Sequence, residues 1–218
     1  MAIRARIVSL IFLFTLSAAP ALAISASLGT PTEHVQAHLD AVLALASDTS
    51  LTDDQRRSEV RTATRQAFDF SEFARRVLGQ HRNRLTAGER ARFVSALSAL
   101  IEEFYVWRLS PFYSERALQF GDYVRYVGES AARSTAVVEM IIRRHGRDVP
   151  VEARLTRDRN SWRICDLIVE GVALTENYAA QVDQLLRTRS PRELVTMLER
   201  KQAELASQQA PLPPAAKR

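Results

Sequence analysis

An α+β domain, with helices packed on a four-stranded antiparallel sheet, is the fold class the sequence predicts. Three observations carry it. Apolar residues recur at helical spacing up to about residue 109, then at a spacing of two from about Gly121 to Val169. The period returns to helical from Leu174. Short turns at His145-Gly146 and Asp158-Arg159-Asn160-Ser161 separate the last three strand-like segments, so successive strands are antiparallel neighbours. Helices, then strands, then helices is the order of an α+β domain.

The elements follow in order. Residues 1–23 read as a secretory leader: Arg4 and Arg6, an apolar run from Ile7 to Leu16, and a small-residue site at Ala21-Leu22-Ala23. The domain is assigned to 24–207 and a disordered proline-rich tail to 208–218. Thr30, Pro31 and Glu33 form a capping box that opens a helix with Val35, Leu39, Val42 and Leu43 on one face. Thr52-Asp53-Asp54 opens a second, running to about Ala67. Its arginines 56, 57, 61 and 65 read as a solvated face. Ser71 is expected to cap a short helix ended by Gly79. Thr86 and Glu89 open the longest helix, whose stripe of Phe93, Leu97, Leu100, Ile101, Phe104 and Leu109 ends at Ser110-Pro111. The strands are expected at Tyr123–Val127, Thr135–Arg143, Val149–Leu155 and from Trp162. The last is apolar on both parities and therefore covered on both faces. Ser190-Pro191 starts the final helix.

The composition narrows the function. The formal charge is +5, and loss of a leader carrying Arg4 and Arg6 lowers it by two. That mild excess, with no basic stripe interleaved with aromatics, argues against nucleic acid. The single cysteine, Cys165, forbids an internal disulfide and sits in a buried strand. No lipobox cysteine is present. His34 and His38 have chelating spacing but no third ligand nearby, and read as a wet helix face. No phosphate loop or serine nucleophile elbow occurs. Asp166 and Glu170 are paired acids in phase on one strand; they read as structural rather than catalytic. The chain is thus not expected to be an enzyme. Its surplus is apolar surface, consistent either with a filled core or with a cavity between sheet and helices.

Three segments resemble the MlaC family of periplasmic phospholipid-binding proteins, also called toluene-tolerance proteins. They are Phe68-Asp69-Phe70 with Leu78-Gly79; Thr86-Ala87-Gly88-Glu89-Arg90 through Phe93 to Tyr105; and Trp162-Arg163-Ile164-Cys165-Asp166-Leu167-Ile168-Val169-Glu170-Gly171-Val172 with Asn177-Tyr178 and Gln181. The third is the most specific. His81-Arg82, Ala173, Ala179 and Val182 depart from the family pattern, and bear on headgroup contact more than on fold.

The resemblance implies a twisted sheet enclosing an apolar cavity, with phospholipid as the bound ligand and no other cofactor or metal. It implies a periplasmic shuttle between an outer-membrane MlaA-type lipoprotein complex and an inner-membrane ABC transporter with an MCE-domain protein, with transient membrane contact. The candidate lipid-binding residues are Val77, Leu97, Ile101, Tyr105, Val138, Met140, Ile142, Val151, Trp162 and Val169. The competing expectations are a structural adaptor without lipid, an enzyme on an envelope lipid using Asp166 and Glu170, and a carrier of another lipid such as a hopanoid.

Overall fold

A computed structural model describes residues 29–109, 124–144, 146–158 and 161–208. The expected leader (1–23), the Ser110-Pro111 break and the tail beyond Gln208 lie outside the described residues.

Among the described residues, six helices and a five-stranded sheet form the fold. The first helices are α1 (Pro31–Ser47), α2 (Asp53–Ala67), α3 (Phe70–Leu78) and α4 (Ala87–Leu109), with a 3-10 turn over Gly79–Arg84 between the last two. Then come β1 (Val124–Ala131), β2 (Thr135–Arg144), β3 (Arg147–Asp158), β4 (Ser161–Val169) and β5 (Val172–Ala173). Helices α5 (Leu174–Thr188) and α6 (Pro191–Gln208) close the described chain. Helix starts follow local chemistry. Thr30 with Glu33 and Thr52 with Gln55 complete reciprocal capping boxes. Thr86 with Glu89 and Ser190 with Glu193 make the same reciprocal bonds. The cap of α3 is Asp69, not Ser71: its carboxylate accepts the Glu72 N–H at 2.9 Å. Gly79 takes φ +45°, the conformation that stops α3 without a Cβ penalty.

The strands form an antiparallel meander in the order β1-β2-β3-β4-β5. The fifth strand corrects the expected four. The Glu170-Gly171 turn, with φ +52° and +81°, folds Val172 back onto Val169 before α5 begins. Two such residues in succession suit a tight hairpin. A bulge at Cys165 also changes the reading of β4, since Arg154 pairs with Asp166 while Leu155 pairs with Ile164. Trp162 and Ile164 face one side before the bulge, and Leu167 faces that side after it. This is why apolar residues occupy both parities.

Two apolar cores result. One lies between the sheet and α1, and includes Val35, Phe68, Val138, Met140, Val151, Ala153, Leu155, Trp162 and Ile164. The other lies among α3, α4, α5 and α6, around Phe73, Val77, Phe93, Leu97, Val182 and Leu194. The link between α2 and α3 is stitched to β4: Asp69 N–H donates to the Ile164 carbonyl at 2.8 Å, and Arg163 donates to the carbonyls of Arg65 and Phe68.

The arginine face of α2 is not simply solvated. Arg56 is buried and donates to the carbonyls of Asp48 and Leu51. Arg65 holds Glu102 of α4 in a bidentate pair at 2.9 and 2.8 Å, and Arg61 pairs with Glu103. These bonds fasten α2 to α4.

A cavity between helix α1 and the sheet

A partly open apolar pocket of about 160 Å³ lies between α1 and the sheet. Its helical wall is Val35, His38, Leu39, Val42 and Leu43. These positions share one face of α1 because they recur at i, i+3, i+4, i+7 and i+8. Phe68 closes one side. Met140 and Ile142 of β2, Val151 and Ala153 of β3, and Ile164 and Leu167 of β4 make the sheet wall. Strand pairing explains the grouping: Met140 sits opposite Val151, and Ala153 opposite both Val138 and Leu167.

The one titratable group in this lining is His38. It is buried, and its ring meets Phe68 edge-on at 5.8 Å and 78°. Burial lowers its pKa to about 4, with the neighbouring His34 adding to the effect. His34 is lowered too, chiefly by burial. Both rings are therefore neutral at neutral pH, and the cavity wall carries no charge. The expected wet face for this histidine pair is corrected: His38 turns inward because it occupies the same helical stripe as Val35 and Val42. Among the described residues no group of three or more His, Cys, Asp or Glu is placed to hold a metal ion.

The sequence candidates divide between the two cores. Met140, Ile142 and Val151 line the cavity. Val138 and Trp162 lie in the same core without forming the lining. Val77 and Leu97 are buried in the helical core, with Ile101 packed against it. Val169 is 36% exposed at the end of β4. The side chain of Tyr105 lies outside the described residues. The α1 wall was not among the candidates, although its apolar stripe is visible in the sequence. What periodicity does not tell is which of several apolar stripes faces the sheet.

The acid pair is not brought to one site. Asp166 is fully buried, and its oxygens accept from Leu167 N–H, Thr175 N–H and the Thr175 hydroxyl. Glu170 lies in the exposed turn and pairs with Arg147 at 3.1 Å. Cys165 is buried, its thiol 3.4 Å from the Arg154 carbonyl, and burial pushes its pKa up to about 11. A thiol so protonated is a poor nucleophile. What the arrangement can do is enclose an apolar group.

Comparison with known proteins bears on the fold and the family. The family model described as MlaC protein matches residues 35–200. The fold is similar to that of a phospholipid-binding protein from Ralstonia solanacearum, solved in complex with a phospholipid. The TM-score is 0.68 at 21% identity, over 82% of this chain and 99% of that one. No protein of curated function matches the sequence. With a family match spanning both the helices and the sheet, the chain belongs to the MlaC protein family.

Proposed function

We propose that this protein is a phospholipid carrier of the periplasm, exported by a cleaved leader. It shuttles lipid between an outer-membrane lipoprotein complex and an inner-membrane ABC transporter with an MCE-domain protein. The observation that carries this reading is the uncharged cavity between α1 and the sheet. An acyl chain of about 14 methylenes costs roughly 11 kcal/mol to expose to water, at ~0.8 each. A carrier removes that barrier by exchanging one apolar surrounding for another. It needs no catalytic group, and direction comes from its partners.

The cavity volume adds a condition. Pockets that hold drug-sized ligands measure about 300–1,000 Å³, while the space here is about 160 Å³. The space as it stands therefore takes only part of an acyl chain, and full loading requires it to widen. The α1 wall contributes mainly side-chain packing, and the N-terminus of α1 is tied to β1 by Thr32, whose N–H and hydroxyl donate to Glu129.

Lipid extraction and mass analysis of protein purified from the periplasm tests the reading, together with uptake of phospholipid from detergent micelles. Stoichiometric phospholipid is expected. Protein that is reproducibly empty and takes up none contradicts it.

A further inference from the structure

The cavity floor does not stop at the cavity. Strand register places Met140 opposite Val151, Val151 opposite Val169, and Val169 opposite Val172. Directly paired residues point to the same face of a sheet, so these four side chains form one apolar row across β2, β3, β4 and β5. Their exposure rises along the row: Met140 3%, Val151 7%, Val169 36% and Val172 58%. The inner two line the cavity. The outer two are among the large apolar side chains exposed to solvent. A lone exposed valine needs no explanation. Two that continue the lining of an apolar pocket do, because they extend it as a path to the sheet edge.

The same end of the sheet carries arginines. The β2–β3 hairpin and the β4–β5 turn lie side by side there, joined by the Glu170 N–H to Pro150 carbonyl bond and the Arg147–Glu170 pair. The hairpin segment 141–150 has the sequence IIRRHGRDVP, and with Glu170 of the adjoining turn this end sets three arginines against two carboxylates. Arg143 pairs with Asp148 on the opposite face of the sheet, and Arg125 lies near enough to lower the Asp148 pKa further. The Arg147 side chain is 75% exposed.

We propose that this end of the sheet docks on an anionic phospholipid bilayer, with Val169 and Val172 entering the interface and the exposed Arg147 meeting the phosphates. The inference rests on the carrier reading above and names the surface through which that carrier loads. Three features favour a bilayer as the occupant. Arginines beside exposed apolar side chains match the layered chemistry of a lipid interface, phosphate outside and hydrocarbon within. The apolar row runs without interruption from that surface to the cavity. The apolar part of the patch, two partly exposed valines, is far smaller than the roughly 800 Å² per partner of a stable protein interface.

The test is the rate at which the purified full chain takes up fluorescent phospholipid. The donors are phosphatidylcholine vesicles, with or without phosphatidylglycerol, and detergent micelles in parallel. Wild-type protein is expected to load from micelles, and to load faster from vesicles that contain phosphatidylglycerol. Val172→Asp should slow vesicle uptake about tenfold, since it removes an apolar contact and adds a charge that anionic lipid repels, while leaving micelle loading unchanged. Arg147→Gln should remove part of the phosphatidylglycerol dependence. Val172→Ser, a milder change at an exposed site, should slow vesicle uptake to a lesser degree and covers the case in which the aspartate impairs folding. Four results overturn the surface assignment: vesicle uptake unaffected by the Val172 variants; no dependence on phosphatidylglycerol; loss of vesicle and micelle loading together in Val172→Ser; or wild type that loads from micelles and never from vesicles, which would indicate transfer from a protein partner. Wild type that loads from neither source contradicts the carrier reading itself.

Discussion

Asp166 of β4 caps helix α5 through Thr175: its Oδ2 accepts the Thr175 hydroxyl at 2.6 Å and its Oδ1 accepts the Thr175 N–H at 3.1 Å. The helix has no cap of its own, because the N-cap position is Ala173. Thr175 is the second residue of α5, so one of the helix's unsatisfied donors is met by a side chain from the preceding strand. The intervening Glu170-Gly171 turn brings the two together.

Asp166→Ala should therefore destabilise the protein by roughly 3 kcal/mol, since it strips charge-assisted hydrogen bonds from a fully buried donor pair. Asp166→Asn keeps an acceptor for the N–H and should cost less. Urea unfolding of the three proteins measures this. Equal stability of Ala and wild type would show that the cap contributes nothing.

The Arg65–Glu102 pair makes a second stability prediction. Glu102 is 3% exposed on its side chain, whereas Arg65 is 62% exposed. Arg65→Met leaves a nearly buried carboxylate unpaired, which should cost about 2 kcal/mol. That is less than the 3–5 of a fully buried pair because water still reaches the arginine side. Arg65→Met with Glu102→Met should recover most of the loss. If the double variant is as unstable as the single, the pair is not what joins α2 to α4.

These two sites show what the sequence made legible and what it did not. The helix starts at Thr30, Thr52, Thr86 and Ser190 were readable, because capping is decided within four residues. The α+β order and strands two to four were readable from the change of period. The arginines of α2 were not, because their partners on α4 lie 37 and 42 positions away. Nor was the bulge at Cys165, since an inserted residue and a doubly covered strand produce the same apolar pattern. The cavity lay half within reach. Met140, Ile142 and Val151 were picked out by alternation, but Val77, Leu97 and Ile101 were grouped with them although they belong to the helical core. A stripe says that a helix is buried, not against what.

His38 makes stability depend on pH. Its folded pKa of about 4 lies below the unfolded value of 6.5. Above pH 6.5 the ring is neutral in both states and stability is complete. As pH falls from 6.5 towards 4, the unfolded chain binds a proton that the folded chain refuses, and stability is lost, reaching about 3 kcal/mol at the lower end. His34 acts in the same direction. Between pH 7 and 5, where carboxylates titrate little, wild type should lose about 2 kcal/mol from His38, and His38→Leu should lose distinctly less. Parallel urea midpoints for the two proteins would contradict a buried neutral His38.

The two apolar cores give opposite predictions for lipid. Leu43 lines the cavity and is only partly buried, so Leu43→Trp can fill that space without overpacking a closed core. Phospholipid loading from micelles should fall about tenfold or more, while thermal stability stays level or rises, as cavity filling commonly adds about 0.5–2 kcal/mol. Leu97 is 3% exposed in the helical core. Leu97→Ala should cost about 2–5 kcal/mol of stability, yet the folded protein should load lipid normally, because no wall of the cavity has moved. Both variants are read by bound lipid per folded protein beside a denaturation curve. Normal loading of Leu43→Trp would remove the α1 cavity from the lipid site. Lost loading in well-folded Leu97→Ala would move the site towards the helical core.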